Sequence, residues 1–584
     1  MRVKRNLEQD ATSNSKESRN CPPESGGQHN RDAVEIVREV VPKPHPYKVR
    51  FGTTPALRAT PPDSGGQFFK RHIVAAGLIV VLAISLLAQN ISTSVLSTDA
   101  MRTWLTYISS DDLEGRGTFN EGLGLAATYI ADQIKDGGVA PGGDHGSYFQ
   151  RVPVLGIRNT DRSTLTVEVK GQTRTFRDGE GVTFQKFVGA ARTFTVDQVE
   201  FLGSHPESMK AADYKGKVVV WLEYPDSISL LAAEEGGISA VLTPGSGIAG
   251  DTGASNADFV TSQRLDLPRM PSITVGPELL DFLFSASDTN YSQIRTRGSR
   301  SDPLKPFALK GARLTFNIDP NYRVVNTQFT RNVVGIVEGS DPQLKSTYVA
   351  FGAHYDHLGY IQGTLYGGGT DRIYNGADDD GSGTTALIGL ARAFAKGPKP
   401  KRSLVFVWHA GEELGLYGSR YFADSPPQSV GNINNIVTQL NIDMIGRNRD
   451  NDPKEGSTVY AVGADRISTE LHNTLVDANA SMARPLSVNF EMNDPSDGER
   501  IYYRSDHFSY ASKGIPIIFF FSGLHPDYHQ VTDTVDKIDF DKMARIGQLV
   551  YEIGRRVANQ DRAPVRDFKG PRAGIGATGK LSTN

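Results

Sequence analysis

Cysteine is almost absent from this 584-residue chain, since the single one, Cys21, lies in a polar N-terminal stretch. One thiol excludes an internal disulfide and a cysteine-based metal cluster. An excess of one charge sign is also lacking: the formal net charge is -3, and no basic stripe suggests nucleic-acid binding. At this length we expect two or more domains. Any bound metal has to be held by His, Asp and Glu.

The N-terminal region lacks a sustained apolar period and is rich in Pro, Gly, Ser, Asn and charge. This composition predicts a disordered tail over residues 1–71. An uncharged apolar run follows, from Ile73 to Ala88. The run is short for a membrane span and long for a core strand. It suits the hydrophobic region of a signal peptide, although the polar stretch before it is unusually long.

Three interpretations of residues 72–92 stay open. The segment is a signal peptide cleaved after Ala88, with translation starting further downstream, or an uncleaved signal-anchor helix, or a buried core helix. Basic residues precede the run, so the first two interpretations place the rest of the chain outside the cytoplasm. We predict a signal peptide or signal anchor, and an exported protein that is periplasmic or extracellular, either released or anchored to the membrane by this segment.

Several catalytic motifs are missing. No G-x-S-x-G elbow supports a serine hydrolase, and the second half contains no Walker A loop and no G-x-G-x-x-G after a strand. The stretch "DDDG" does not fit a calcium-binding EF-hand, because Leu387 occupies the position of the bidentate Glu. The stretch "HPDYH" has the histidine spacing of a zincin, but Pro526 replaces the general-base Glu.

The pattern of apolar and polar residues changes along the folded part of the chain. The segment "LGLAATYIADQIKDGG" has helical apolar spacing and ends at Gly137 and Gly138, a helix stop. Short β-type runs such as "KVVVWLEY" and "ISAVLTPG" follow between about 195 and 310, which reads as an inserted domain. Beyond residue 345, apolar strands alternate with helical stretches, which indicates an α/β fold with a parallel sheet.

Polar residues follow the apolar strands of this second half. "TYVAFGAH" ends at His354, "RSLVFVWHAGEE" at Glu412 and Glu413, "IVTQLNID" at Asp443, and "IPIIFFFSG" leads shortly to His529. Open parallel sheets place their sites in the crevice beyond the carboxyl ends of the strands. We therefore expect these side chains to meet in one crevice.

A loop with three consecutive aspartates, in "YNGADDDGSG", precedes a predicted helix that carries Leu387 and Phe394. Adjacent carboxylates repel one another, so each has to be solvated, protonated or bound to a cation. The loop adds a further ligand to the crevice. Two histidines and several carboxylates without a thiolate suit one or two divalent ions, and zinc is the leading choice for mixed N and O ligands.

These motifs resemble a known family. "GAHYDHLG", "NGADDDGSG", "HAGEELGLYGS", "LNIDMIG" and "DYHQVTDTVDKID" occur in the order and spacing of the co-catalytic di-zinc aminopeptidases, relatives of glutamate carboxypeptidase and the transferrin receptor ectodomain. The resemblance is to a bacterial-type member of that group. It implies a zinc-dependent exopeptidase fold, with a mixed, mostly parallel central sheet flanked by helices.

The resemblance also implies the domain boundaries. Residues 97–195 and 311–562 would form the two parts of the peptidase domain. Residues 196–310, with "DYKGKVVVW" and "MPSITVG", resemble an inserted β-rich protease-associated domain. Residues 563–584 would be a disordered C-terminal tail.

Residue by residue, the resemblance implies a site for two Zn²⁺ ions. His354 and Asp443 would bind one ion, Glu413 and His529 the other, and Asp379 would bridge them.

Other residues would act around this site. Glu412 would be the general base, and Tyr528 would offer its phenol to the developing oxyanion. Asp356 would orient the His354 imidazole, and Asp380 would position the loop behind the metals. The implied activity is a metallo-aminopeptidase that hydrolyses N-terminal residues from peptides.

Alternatives stay open at this point. A carboxypeptidase or dipeptidase of the same fold would use the same metals, a glutaminyl cyclase-type acyltransferase would use one zinc, and a receptor-like ectodomain would use none. The oligomeric state is not predicted. Residues in "YYRSDH", from Tyr502 to His507, either line the specificity pocket or support it.

Overall fold

The computed structural model describes residues 96–569, apart from 204–210, 223–224, 246–257, 262–264, 266, 299–303, 362–369 and 495–496. The predicted tail 1–71 and the predicted signal or anchor segment 72–92 therefore lie outside the described residues. Within the described part, no helix is both long enough and apolar enough to cross a membrane.

The strands are numbered in chain order. They are β1 Ala140–Pro141, β2 Phe149–Asp161, β3 Thr164–Val169, β4 Gln172–Asp178, β5 Gly181–Phe184, β6 Arg192–Val196, β7 Val199–Phe201, β8 Val218–Val220, β9 Ala240–Pro244, β10 Asp258–Thr261, β11 Ser272–Val275, β12 Phe307–Ala308, β13 Ala312–Ile318, β14 Pro320–Val337, β15 Tyr348–His354, β16 Ser403–His409, β17 Ile436–Ile442, β18 Thr458–Val462, β19 Ser487–Asn489 and β20 Ile517–Phe521.

The α-helices of the described residues are interspersed along the chain with strands or groups of strands. They are Thr98–Ile108, Glu121–Asp136, Ser227–Glu235, Pro277–Leu283, Tyr291–Gly298, Gly383–Lys396, Tyr417–Asp424, Thr469–Ala480, His507–Ala511 and Phe540–Asn559. The helix predicted to stop at Gly137 ends at Asp136, and Gly137 caps it by donating to the Gln133 carbonyl. The helix predicted around Leu387 is observed as Gly383–Lys396.

The first sheet has the strand order β10-β2-β14-β16-β15-β17-β20-β18-β19, and β1 pairs with β14. Its centre is parallel, since β16, β15, β17 and β20 all run in the same direction. Antiparallel pairs flank this centre at β14 with β16 and at β18 with β20. The predicted α/β fold class, with a mixed sheet flanked by helices, is confirmed, although among the described residues of this sheet parallel pairing is limited to this centre and to β18 with β19.

Both faces of the central strands are buried, which explains why they read as continuous apolar runs. On β15, Val349 and Phe351 belong to one apolar core, and Ala350 belongs to a second core on the opposite face. Phe351 stacks on Phe406 of β16 with ring centroids 4.9 Å apart. Helices on both faces therefore hold these strands, and through them the strand ends, in a fixed arrangement.

A second sheet has the order β12-β7-β8-β9-β11-β5-β4-β3-β13-β6 and its own apolar core. It draws strands from Thr164 to Ile318, a wider span than the insert expected at 196–310. The reason is long-range pairing: β3 pairs with β13, and β5 pairs with β11. Conversely β10, inside the expected insert, pairs with β2 of the first sheet. The local pattern of apolar residues does not show which distant strands pair with each other.

The end of the described chain packs against the helix Thr469–Ala480. The main-chain N–H of Val565 donates to the Glu470 carboxylate, and that of Phe568 donates to the Ile467 carbonyl. Residues 563–569, expected to belong to a disordered tail, thus have fixed partners, whereas residues 570–584 lie outside the described part.

Candidate metal centre

The site lies where the parallel strands of the first sheet end. His354 is the last residue of β15 and is paired in register with His409 of β16. Asp443 directly follows β17, and Glu412 and Glu413 follow β16 by a few residues. Because parallel strands end at the same edge of a sheet, these side chains converge on one crevice, as the sequence predicted.

One cluster of possible ligands consists of His354, Asp379 and Asp443, all buried. His354 Nε2 lies 3.2 Å from Asp379 Oδ1 and 3.7 Å from Asp443 Oδ1. Ser505 donates its hydroxyl to Asp443 Oδ2 at 2.7 Å, which leaves Oδ1 directed at His354. These three groups match the set expected for the first zinc position.

A second group of possible ligands shares Asp379 and also contains His357 and Glu413. His529 lies beside this group. His529 Nε2 lies 3.1 Å from Asp379 Oδ2 and 3.2 Å from Glu413 Oε2. Asp379 therefore directs one carboxylate oxygen at each cluster. The structure brings together all five residues that the family resemblance assigned to metal binding, with Asp379 between the other two pairs.

These groups fit a bound cation. Asp379 Oδ2 and His529 Nε2 are buried, and neither has a hydrogen-bond partner within the described residues, although they are close to each other. Buried polar atoms without partners are costly, and ligands of one ion approach each other without forming hydrogen bonds. Mixed imidazole and carboxylate donors without a thiolate suit zinc.

The electrostatics of the metal-free site favour cations. Burial alone would raise the pKa of Asp379, but the imidazoles of His354 and His529 hold it well below its usual value. Burial would lower the pKa of His529, but the carboxylates of Asp379 and Glu413 raise it to about 10. The carboxylates thus attract positive charge strongly, and metal binding has to displace protons from the histidines.

The neighbours of Asp379 position the main chain. Asp380 accepts main-chain N–H groups from His354, Gly383 and Met444, at 3.2, 2.9 and 3.1 Å. It therefore ties the end of β15, the following helix and the segment after β17 together. Asp378 accepts the N–H of Gly446 at 2.6 Å. Only the middle aspartate of the triplet faces both ligand clusters.

A glycine is required where the loop turns. Gly376 has φ +54°, and a Cβ there would lie 2.3 Å from the carbonyl oxygen of Asp379 and 2.6 Å from the ring of His357. Any side chain would displace the loop or the imidazole. The Asp379–Asp380 peptide bond that follows is cis.

Asp356 differs from its expected role in one respect. The nearest acceptor for His354 Nδ1 is the main-chain oxygen of Asp356 at 3.1 Å, whereas its carboxylate Oδ1 is 3.8 Å away. The carboxylate instead accepts the Thr118 hydroxyl at 3.0 Å and the Glu412 N–H at 3.1 Å. Asp356 therefore orients the imidazole through its backbone and fixes the segment that carries Glu412.

A pocket opens onto these clusters. Its polar lining consists of four of the expected ligands together with Glu412, Arg504 and Tyr528; these ligands are His354, Asp379, Glu413 and Asp443. Its apolar lining consists of Met444, Ile501, Phe519, Phe521 and Leu524. Of the segment from Tyr502 to His507, Arg504 lines the pocket, whereas Tyr502, Ser505, Asp506 and His507 are buried beneath it.

Two histidines near the site were missed by the sequence reasoning. His357 Nδ1 lies 2.8 Å from Glu413 Oε1, and His525 Nε2 lies 3.2 Å from Asp378 Oδ2. Both belong to motifs singled out for other residues, "GAHYDHLG" and "HPDYH". Their closeness in sequence to His354 and His529 could have indicated that they belong to the site. Their partners, Glu413 and Asp378, come from distant segments of the chain.

Arg116 is a fully buried cation behind the site. Its guanidinium donates to the main-chain oxygens of Ile108, Tyr355, Asn375 and Gly376, at distances of 2.5 to 2.9 Å. Burial lowers its pKa to about 10, while nearby carboxylates, among them those of Asp356 and Asp379, oppose this shift. It joins the two loops that carry the ligands.

We expect Arg116→Met to be strongly destabilising. Four carbonyl groups would lose their donor, and buried carboxylates would lose a compensating charge, which typically costs about 3–5 kcal/mol. The measurement is the thermal unfolding midpoint of the purified variant. Arg392→Met is the matched control, because Arg392 donates to one carbonyl, that of Gln133. Equal midpoints for the two variants would contradict this role of Arg116.

Comparison with known proteins identifies the domain that holds this site. The profile of Peptidase family M28 matches residues 332–554. A "Probable leucine aminopeptidase" from Arthroderma benhamiae is 29% identical over 226 residues, 37% of this chain and 56% of the relative. "Leupeptin-inactivating enzyme 1" from Streptomyces exfoliatus is 34% identical over 176 residues, 30% of this chain and 35% of the relative.

The chain thus spans about half the length of these curated relatives, or less. Among solved structures, the aminopeptidase from Aneurinibacillus sp. strain AM-1 aligns over 83% of this chain and 99% of its own, at 18% identity and a TM-score of 0.44. The site residues from His354 to His529 all lie inside the matched segment. The part of the chain that holds the candidate site, residues 332–554, is thus similar to peptidase family M28.

Proposed function

We propose that this protein is a zinc-dependent exopeptidase, and specifically an aminopeptidase that removes N-terminal residues from peptides. The observation that carries the proposal is that Asp379 lies between two pairs of possible ligands, His354 with Asp443 and Glu413 with His529, and that Glu412 lines the pocket beside them. The names of the relatives, a probable leucine aminopeptidase among them, support it.

Two zinc ions are proposed as the cofactor. His354, Asp379 and Asp443 would hold one, and Asp379, Glu413 and His529 the other. When bound, such a pair lowers the pKa of a shared water to about 7 and polarises the substrate carbonyl.

Glu412 is the proposed general base. Its main-chain N–H is held by Asp356, and its side chain lines the pocket beside Glu413. Burial raises the pKa of Glu412 well above its usual value, and the carboxylates of Glu413, Asp506 and Asp443 add to the shift. A carboxyl group of raised pKa can accept a proton from the attacking water and return it to the leaving amine.

Tyr528 is the proposed donor to the developing oxyanion. Burial and the carboxylates of Asp379, Glu413 and Glu412 raise the pKa of its phenol, which therefore stays protonated. The Tyr528 ring stacks on that of His529, with centroids 3.8 Å apart, and Arg504 Nη2 lies 3.4 Å from the phenol oxygen. Both contacts hold the hydroxyl within the polar lining of the pocket.

We expect Tyr528→Phe to lower kcat by about 10²-fold with a much smaller change in KM, because the lost hydrogen bond acts in the transition state. Steady-state kinetics on an aminoacyl substrate measures this. Tyr148→Phe is the control, since the Tyr148 hydroxyl donates to the Val139 carbonyl outside the pocket. A kcat for the Tyr528 variant within twofold of wild type would rule out the oxyanion role.

The names of the relatives, rather than the charge of the pocket, favour a free N-terminus as the recognised group. Four carboxylates line the pocket, those of Asp379, Glu412, Glu413 and Asp443, and two Zn²⁺ ions would balance their charge. The apolar lining of the same pocket suits an apolar N-terminal side chain.

Arg504 supports a second candidate, a carboxypeptidase or dipeptidase. Its side chain is 23% exposed, and its guanidinium lies in the pocket, where it could bind a substrate carboxylate. The guanidinium is already engaged by Glu499 at 2.8 Å and by Tyr528, which weakens this candidate.

The deciding experiment is hydrolysis of three matched peptide sets: free, N-acetylated and C-amidated. An aminopeptidase cleaves the free and C-amidated peptides and not the N-acetylated ones. Cleavage that requires a free C-terminus identifies a carboxypeptidase, and cleavage of free dipeptides alone identifies a dipeptidase. Formation of pyroglutamate without peptide hydrolysis would replace the proposal with the glutaminyl cyclase alternative.

We also propose that the protein is exported across a membrane, on the basis of the sequence of residues 72–92. Cell fractionation of the full-length chain tests this proposal.

We further propose that the second sheet belongs to a protease-associated domain, and its separate apolar core supports this. Activity after excision of the helix Ser227–Glu235 tests whether that domain affects turnover.

A further inference from the structure

His357 contacts a proposed metal ligand. The carboxylate of Glu413 is shared between two histidines: Oε1 lies 2.8 Å from His357 Nδ1, and Oε2 lies 3.2 Å from His529 Nε2. His357 Nδ1 is also 3.8 Å from Asp379 Oδ2. The distances alone would allow His357 to bind the second metal directly or to hold Glu413 by a hydrogen bond.

The second ring nitrogen distinguishes these roles. His357 Nε2 is buried and has no hydrogen-bond partner among the described residues. If Nδ1 bound a metal, the ring proton would be on Nε2, and a buried N–H without a partner costs about 1–3 kcal/mol. A metal-binding imidazole almost always donates its other N–H to an acceptor. His354 meets that condition, because its Nδ1 lies 3.1 Å from the main-chain oxygen of Asp356.

If the ring proton is on Nδ1, no buried N–H group of the His357 ring is left without an acceptor. Nδ1–H donates to Glu413 Oε1, and the atom left without a partner at Nε2 is a lone pair rather than an N–H group. Among main-chain groups, buried N–H groups without partners are rarer than such carbonyl groups, and we extend the same preference to the ring. The geometry therefore favours His357 as a hydrogen-bond donor.

The ring of His357 is held in place on both sides. Its main-chain N–H donates to the Arg116 carbonyl at 3.1 Å, and its side chain is fully buried. Gly376 approaches the ring so closely that a Cβ there would lie 2.6 Å from it. The His529 ring lies edge-on, with centroids 5.8 Å apart. His357 therefore cannot turn away from Glu413 without moving the aspartate loop.

We propose that His357 is a positioning residue for Glu413: its Nδ1–H holds Oε1 and so directs Oε2 toward the second metal position, beside His529. The proposal rests on the two-zinc site proposed above. Loss of this donor would let the Glu413 carboxylate rotate, so the second zinc would bind more weakly while the first zinc is unaffected.

Two substitutions separate the donor from the ring. His357→Phe keeps a ring and removes both nitrogens, whereas His357→Asn places an amide N–H near the position of Nδ1. The zinc-loaded full chain is titrated with a chromophoric chelator, and the affinity of each zinc is read from the competition curve. Outer partners of metal ligands typically change metal affinity by about 10–100-fold.

We expect His357→Phe to weaken one zinc by about 10–100-fold and to leave the other within about threefold. His357→Asn should restore the weaker zinc to within about threefold of wild type. The cobalt-substituted Asn variant should keep the wild-type d–d absorption bands, because the ligand set is unchanged. His472→Phe is the matched control: it alters another buried histidine, whose ring packs on Phe490 outside the site.

Equal weakening in the Phe and Asn variants, with altered cobalt bands in both, would overturn the proposal in favour of direct ligation. Wild-type zinc affinity in the Phe variant would overturn it in favour of a packing role. If the Phe variant does not fold, His357→Ala supplies the donor-free comparison with Asn. A wild-type chain that binds fewer than two zinc ions would instead refute the proposed function, so the two failures are distinguishable.

Discussion

Glu412→Gln is expected to keep both zinc ions and to lose about 10²- to 10⁴-fold in kcat. Glutamine has nearly the same shape and retains the main-chain N–H that donates to Asp356, so the loop should not move. It has no carboxylate to accept the proton of the attacking water. Metal content and steady-state kinetics, measured on the same preparation, check both parts of this expectation.

Two controls separate the base from its neighbours. Glu413→Gln should lose affinity for one zinc as well as activity, because Glu413 Oε2 faces His529 at 3.2 Å. Glu338→Gln should change neither, since Glu338 is an exposed partner of Lys345. Turnover of Glu412→Gln at the wild-type rate would disprove the assignment of the base.

Removal of the metals is the second change with a large expected effect. A chelator should abolish hydrolysis and lower the thermal unfolding midpoint. At a free zinc concentration about 1,000 times the dissociation constant, one site stabilises the folded chain by about 4 kcal/mol. Without metal, the buried carboxylates of Asp379, Glu413 and Asp443 are close together and only partly compensated by histidines.

Calorimetry with and without chelator, followed by zinc addition, measures this effect. Zinc should restore both the midpoint and the activity, whereas magnesium should restore neither, because imidazole ligands favour zinc over magnesium. Full activity of the metal-free chain would exclude a metallopeptidase.

The candidate site was largely predictable from the sequence, because most of its residues lie at the ends of apolar strands. His354, Asp443 and the Glu412–Glu413 pair each follow a run of apolar residues that is buried on both faces in a parallel sheet. Such runs can be read locally, and parallel strands bring their ends to the same edge. The convergence of these residues therefore required no knowledge of distant contacts.

Other features depended on contacts that no local pattern contains. The span of the second sheet is set by the pairing of β3 with β13, strands separated by more than a hundred residues. The aspartates of "DDD" are equivalent in local pattern, so only the family resemblance distinguished Asp380 from Asp379. The structure shows that Asp380 ties three main-chain segments together. His357 is part of the motif "GAHYDHLG", but its partner Glu413 is 56 residues away in the sequence, so the motif does not reveal the contact.

By itself, the sequence determined the chemical inventory of this protein: no thiolate ligands, histidines and carboxylates at strand ends, and an α/β fold to present them. Residue type and hydrophobic period are local properties, so they can be read in order along the chain. Only the tertiary structure decided that Asp356 orients His354 through its backbone and that His357 reaches Glu413. Hydrogen-bond partners depend on atomic distances between remote segments, and those distances exist only once the sheet and its loops have packed.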